Sequence, residues 1–253
     1  MQNKCILTHS YFSELSSQRD KKPRKRFMDY YQDLFFLRNQ AVNHESFYIG
    51  GQYSYTELAD AVLVQYQTMH DPKELQLIAL VIWSHEFDPD YASCTAYIAH
   101  AYGIQVETMD FCDNGLLGLH VSLYTLQKYM QRKEIQVAIL LVLEQTTIPH
   151  GSDRAKYYPK HNFACAIRMK SVQQSHIQSG DVIVERSEIL HEQSTLLLQS
   201  AEIYQNVSNK EGYYPAVNMI HQWIQKKNLS TLSLFQKDCE SNSVGYLHLR
   251  RAS

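Results

Sequence analysis

The chain has 253 residues, and its 24 Lys+Arg against 26 Asp+Glu give a formal charge of −2, which excludes the basic balance of a general nucleic-acid binder. A hydrophobic share of 44% with 20% charged residues excludes disorder and coiled coil as the main architecture. No apolar run approaches the ~20 residues that span a bilayer, and the N-terminus lacks a secretory signal, so a soluble cytoplasmic protein is expected. Five cysteines, Cys5, Cys94, Cys112, Cys165 and Cys239, are odd in number and contain no CxxC pair, which argues against a disulfide framework or a zinc site. Glycine, at 9 residues, is about half its usual ~7% share. Few backbone loops are therefore left to cradle phosphates or oxyanions, and neither a cofactor nor a metal is expected.

In chain order, a short apolar segment at Cys5-Ile6-Leu7 precedes Arg19 to Arg26, a basic run interrupted by Pro23 and read as an exposed loop. Phe27 to Arg38 is rich in aromatic residues. Leu58, Ala59, Val62, Leu63, Tyr66 and Met69 recur at threes and fours, predicting a helix from Thr56 that Pro72 bounds. The continuous apolar run Leu77 to Trp83 predicts a strand buried on both faces. A helix over about 92–102, a strand over 106–111, a long helix from an Asn114 N-cap to about Gln131 and a second buried strand over 137–143 follow. That alternation predicts parallel βαβ units in an α/β fold. Further strands are expected at 163–169, 181–186, 231–235 and 244–249, with a helix over about 215–227 carrying Pro215 in its first turn.

The order of these segments resembles the thiolase fold, and specifically the ketoacyl synthase III family of acyl-thioester condensing enzymes. Four stretches carry the resemblance: Leu77–Ser84 with Phe87–Ala96 and Ala101-Tyr102-Gly103; Met109–Gly118; Val137–Glu144; and Tyr204–Asn209 through Pro215-Ala216, Leu232–Phe235 and Gly245–Leu249. Together they span roughly 75–250. The resemblance implies one thiolase-like domain over 1–253 in a layered α/β/α arrangement of two βαβ-type halves. The N-terminal half, 1–150, would carry the buried helix, and the C-terminal half, 151–253, is shortened.

In that family a cysteine at the N-terminus of the buried helix attacks the thioester, its thiolate favoured by the helix dipole. Counted from Asp110, the nucleophile's place falls on Gly115, which has no nucleophile. The catalytic candidates the resemblance leaves are Cys112, three residues earlier; His191, with His176 as an alternative; and Asn206, which matches the family asparagine although Gln205 replaces the small residue before it. Each also has a structural reading, as a packed thiol, a surface histidine or a turn residue. Arg24 and Arg26 in the basic run are candidate contacts for coenzyme A phosphates or an acidic acyl carrier protein, beside the plainer reading of a solvated loop. His85, Glu86, Asp88 and Asp90 match no metal motif and read as a solvated loop.

A scaffold kept and a nucleophile lost imply a non-catalytic synthase-like subunit. Such a subunit would pair with an active homologue, or with itself, and complete an acyl pocket in fatty-acid, polyketide or specialised-metabolite synthesis. The alternative is a small active acyltransferase in which Cys112 accepts the acyl group.

Overall fold

The computed structural model describes residues 3–17, 19–22, 24–37, 42, 44–82, 93–112, 115–133, 135–147, 159–191, 204–207, 213–226, 229–238 and 243–253. The loop of His85, Glu86, Asp88 and Asp90, the Asn114 cap and Cys239 lie outside these residues.

Among the described residues nine strands form one mixed sheet: β1 (Lys4–Glu14), β2 (Leu77–Ile82), β3 (Glu107–Phe111), β4 (Val137–Glu144), β5 (Phe163–Val172), β6 (Val182–His191), β7 (Tyr204–Val207), β8 (Thr231–Asp238) and β9 (Ser243–Arg251), in the order β3-β2-β4-β5-β1-β6-β9-β8-β7. The order repeats about its middle. β2 runs parallel to β4, which turns back antiparallel to β5 and then to β1; β7 runs parallel to β8, which turns back to β9 and then to β6. The first half has an additional edge strand, β3, with no counterpart among the described residues of the second. The two halves meet where Ile6 and Leu7 of β1 pair with Ile183 and Val182 of β6.

Among the described residues five helices cover the sheet: α1 (Lys25–Phe36), α2 (Tyr55–Gln67), α3 (Cys94–Ala101), α4 (Gly118–Lys133) and α5 (Tyr214–Gln225). The central strands are apolar on both faces because both faces are covered. Leu77, Ala79 and Val81 of β2 and Ala138, Leu140 and Val142 of β4 pack with α4 and α5, whereas Ile78, Leu80, Ile139, Leu141 and Leu143 pack with α2 and α3. Leu119, Leu123, Leu126 and Met130 give α4 its buried stripe, and Ala216, Val217, Ile220, Trp223 and Ile224 do the same for α5. α4 lies against β6 and β9 as well as β1 and β2, so its burial draws on both halves of the chain. No helix among the described residues is long and apolar enough to cross a membrane.

The helix expected from Thr56 begins at Tyr55 behind a complete capping box: Ser54 Oγ accepts from the Glu57 N–H, and the Glu57 carboxylate accepts from the Ser54 N–H at 2.9 Å. Three elements were not legible as such. The aromatic stretch is a helix, α1, whose Phe27, Tyr31 and Phe35 recur every fourth residue and bury against Phe47. It begins at Lys25, so the expected basic loop ends at Arg24. The short β7 carries the asparagine motif. The opening strand β1 runs eleven residues, well past Leu7, and its ladder shifts register between Leu7 and His9. Thr8 is the extra residue, so Cys5 and Leu7 share a face with Phe12, while Tyr11 and Leu15 turn to α2. No period-2 pattern survives that phase change.

The bulge is tied down by Arg168, 3% exposed in β5. Its Nη1 donates to Thr8 Oγ1 at 3.1 Å, and its Nε and Nη2 grip the Glu74 carboxylate at 2.9 Å each. Tyr66 Oη donates to the same carboxylate at 2.7 Å. Removing one partner of a buried ion pair costs most when the charge left behind cannot rehydrate. Arg168 is buried and the Glu74 side chain is about a third exposed, at 32%. Glu74→Ala is therefore expected to destabilise the chain by about 3 kcal/mol and Arg168→Leu by less. Urea unfolding midpoints giving the opposite ranking would contradict this account.

Candidate functional site

The family resemblance directs attention to the start of α4. A single 3-10 turn, Gly115–Leu117, joins the strand side to α4 and packs against β8, the neighbour of β7. Gly115 therefore stands at the helix N-terminal approach, where unpaired backbone N–H groups and the dipole favour an anion. The thiol of Cys112 does not. It follows the last residue of edge strand β3, is exposed, and precedes the turn by three residues. Cys5 and Cys165 are buried, and burial pushes both thiols up, Cys5 to about 12, so neither is a nucleophile.

The approach to α4 is filled by Tyr213. This residue is 1% exposed at the N-cap of α5, and its phenol presses on Gly118, the first residue of α4. A Cβ at Gly118 would collide with Tyr213 Oη and lie 3.2 Å from Val81 Cγ1. The starts of the two central helices are thus packed onto each other. Glu144, at the end of β4, closes the same region from below. It is wholly buried, and its Oε1 accepts the Tyr213 N–H at 2.5 Å and the Tyr214 N–H as well, capping α5. Its Oε2 has no hydrogen-bond partner among the described residues. Burial pushes this carboxyl up to about 8 against the opposing pull of the two N–H donors.

On the side toward the second half stands His120, wholly buried in α4, with neither ring nitrogen partnered among the described residues. Its imidazole lies against Gly245 of β9, where a Cβ would meet His120 Cγ at 2.5 Å. Burial lowers its pKa to about 4. Gln236, buried opposite Gly245 on β8, shares this face. His120 and Tyr213 were not among the residues singled out from sequence, and Glu144 entered there only as the glutamate that ends the 137–144 strand of the family resemblance. The available signal was a polar residue inside an apolar run: His120 between Leu119 and Leu123, and Glu144 ending a strand of seven apolar residues.

The other sequence candidates are dispersed. His191 ends β6 in register with Ser243, and Asn206 lies in β7 in register with Phe235. In the sheet order β6-β9-β8-β7 they are three strand spacings apart, roughly 14 Å, before the offset along the strands is added. His176, the alternative, is exposed on a short turn between β5 and β6. Arg24 caps α1 and Arg26 lies in its first turn; both are exposed. Two members of the same basic run, Arg19 and Lys21, are held by Glu57, with Lys21 Nζ at 2.8 Å. Against the opposing push of burial, Lys21, the Ser54 N–H and Arg19 pull the Glu57 carboxyl down to about 2. No group of three or more His, Cys, Asp or Glu among the described residues is arranged to hold a metal ion.

Two outcomes follow from this packing. Gly118→Ala is expected to cost about 2 kcal/mol or more from overpacking, and Tyr213→Phe, which deletes the nearest atom, to restore part of it; chemical denaturation of the single and double variants checks the coupling. The second concerns pH. The folded-state pKa of Glu144 is raised above 4.5, so its contribution is complete below that value and lost as pH rises through about 8, roughly 5 kcal/mol at the limit. That of His120 is lowered below 6.5, so its contribution is complete above 6.5 and lost as pH falls through about 4, roughly 3 kcal/mol. Glu144→Gln should flatten the alkaline limb of Tm against pH between 6.5 and 8, and His120→Met part of the acid limb.

No protein-family model and no curated protein matches the sequence. Solved structures do. The acyltransferase ChlB3 aligns at TM-score 0.67 and 10% identity over 99% of this chain and 98% of its own. The tetronic acid condensing enzyme AbyA1 aligns at 0.65 and 9% over 97% and 99%. OleA of Xanthomonas campestris aligns at 0.61 and 10% over 98% and 99%. These neighbours are condensing enzymes of the thiolase fold, similar to ketoacyl synthase III. At such identity the likeness concerns architecture alone, and the chain has a thiolase-like α/β fold.

Proposed function

We propose that this chain is a non-catalytic ketoacyl synthase III-like subunit that pairs with an active homologue and completes its acyl pocket. The observation that carries the reading is the start of α4: Gly115 stands where the family nucleophile is expected, and the buried phenol of Tyr213 fills the space over Gly118 that a reacting acyl group would need. A thiol activated by a helix N-terminus has no place in that arrangement. Cys112 is exposed at the end of β3 and lies outside α4, three residues before the turn that leads into it.

Pairing is supported by β3, which ends the sheet with one edge carrying no neighbouring strand among the described residues. An open strand edge is a ready template for a second chain. The second half, four strands against five among the described residues, supports the view that it is shortened. The acyl class comes from the neighbours: one OleA structure holds lauric acid and lauroyl-CoA, and AbyA1 is a condensing enzyme. An acyl-coenzyme A or acyl carrier protein thioester is thus the substrate assigned to the active partner.

The test is intact-protein mass after incubation with acyl-coenzyme A and acyl-carrier-protein thioesters, alone and beside an intact synthase homologue. This chain is expected to remain unmodified, while the homologue is acylated faster in its presence. A stable adduct on Cys112, abolished in Cys112→Ala, would overturn the reading and make the chain an acyltransferase.

A further inference from the structure

A second cluster lies on the opposite face of the sheet, at the Thr8 bulge. The shift in phase at Thr8 turns His9 and Tyr11 of β1 toward α2, where His70, just past the end of α2, meets them. The rings of His9 and Tyr11 are nearly parallel, 6.5 Å apart, and His70 stands across both at 71° and 81°, with centroids 4.6 and 6.3 Å away. Tyr66 backs His70 at 5.0 Å. Three polar atoms in this group, His9 Nδ1, Tyr11 Oη and His70 Nε2, are buried and have no hydrogen-bond partner among the described residues. Leaving such atoms unpaired costs about 1–3 kcal/mol each.

The charges around them select the kind of ligand. From β5 come Arg168 and Lys170, and from the turn after α2 comes Glu74, so the fixed charges sum to one positive. Glu74 pairs with Arg168 and Tyr66, and its Oε1 also lies 3.7 Å from His70 Nδ1. Lys170 makes no ion pair among the described residues. A divalent cation would meet this surplus positive charge and only two imidazoles; an anion would meet donors. Burial, then Arg168, lowers the pKa of both histidines, and His9, Lys170 and Glu74 act on His70 in turn. Both rings are thus held neutral and take up a proton readily once a negative charge arrives. Of this group only His9 lines the cavity of about 570 Å³ at the seam between the halves, together with Thr8, Asp181, Gln225 and Arg251.

We propose that His9, Tyr11, His70 and Lys170 form a binding site for a small oxyanion, a carboxylate or phosphate group. Tyr11 Oη and the protonated imidazoles donate to the oxyanion, and Lys170 supplies the opposing charge. Binding is coupled to proton uptake and therefore strengthens as pH falls through the histidine range. This site is independent of the subunit role proposed above, because it lies on the other face of the sheet from Gly115.

Histidine ring resonances of the full chain, followed by NMR against pH in phosphate, in acetate and in chloride of equal ionic strength, test the proposal. His9→Gln and His70→Gln assign the two signals, and exposed His176 is the internal control. Phosphate, acetate or both are expected to raise the apparent pKa of His9 and His70 by about one unit, a tenfold preference for the protonated state. Tyr11→Phe and Lys170→Met should each diminish the effect, and His176 should not respond. A response to phosphate alone identifies a phosphate-bearing ligand, and one to acetate alone a carboxylate. Titrations of His9 and His70 unchanged from those in chloride, or a shift that survives in the Tyr11→Phe/Lys170→Met double variant, would overturn the proposal.

Discussion

Helix α4 constrains everything around it. Leu119, Leu123, Leu126 and Met130 form its apolar stripe, His120 and Ser122 beside that stripe are buried too, and the contacts that cover them come from both halves. The first half supplies β1 and β2 on one side, and the second half must supply β6 and β9 on the other. The short pairing of β1 with β6 at Ile6 and Leu7 is thus reinforced by a shared apolar core that runs through both halves. Separating the halves would expose that core, at roughly 25 cal/mol for each Å² of apolar surface.

The same constraint gives the candidate site its character. Where the starts of two buried helices converge, their free N–H groups make a positive, water-poor pocket suited to developing negative charge. Here Glu144 takes the α5 donors and Tyr213 takes the space above α4. What remains is polar but packed, with His120 and the outer oxygen of Glu144 buried without partners among the described residues. The cost of those groups falls on stability, and their titration bounds the pH range in which the fold is most stable. A site rebuilt in this way can hold a scaffold in shape for a partner without performing the reaction itself.

The two bulges, at Thr8 in β1 and Glu185 in β6, occupy corresponding strands of the two halves. Each reverses the side-chain phase along its strand. In β1 the reversal brings His9 and Tyr11 to the α2 face; in β6 it brings Ser187 under α4, where its hydroxyl donates to the His120 carbonyl at 3.1 Å. A polar feature on each face therefore traces to one inserted residue.

The sequence by itself determined the strands and helices whose burial is complete. Leu77 to Ile82 and Val137 to Leu143 are apolar at every position because both faces are covered, and the α4 and α5 stripes follow a 3.6-residue period that no loop sustains. It also determined that Gly115 has no nucleophile, since a missing side chain needs no structure to establish. Elements with a broken period were decided only in three dimensions: β1 conceals its alternation behind Thr8, α1 lies behind a basic run, and β7 is four residues long. The polar groups that define both sites were likewise beyond the sequence. Tyr213 meets Gly118 at a sequence separation of 95, and His9 meets His70 at one of 61, and contacts at such separation are fixed by strand order and register rather than by local spacing.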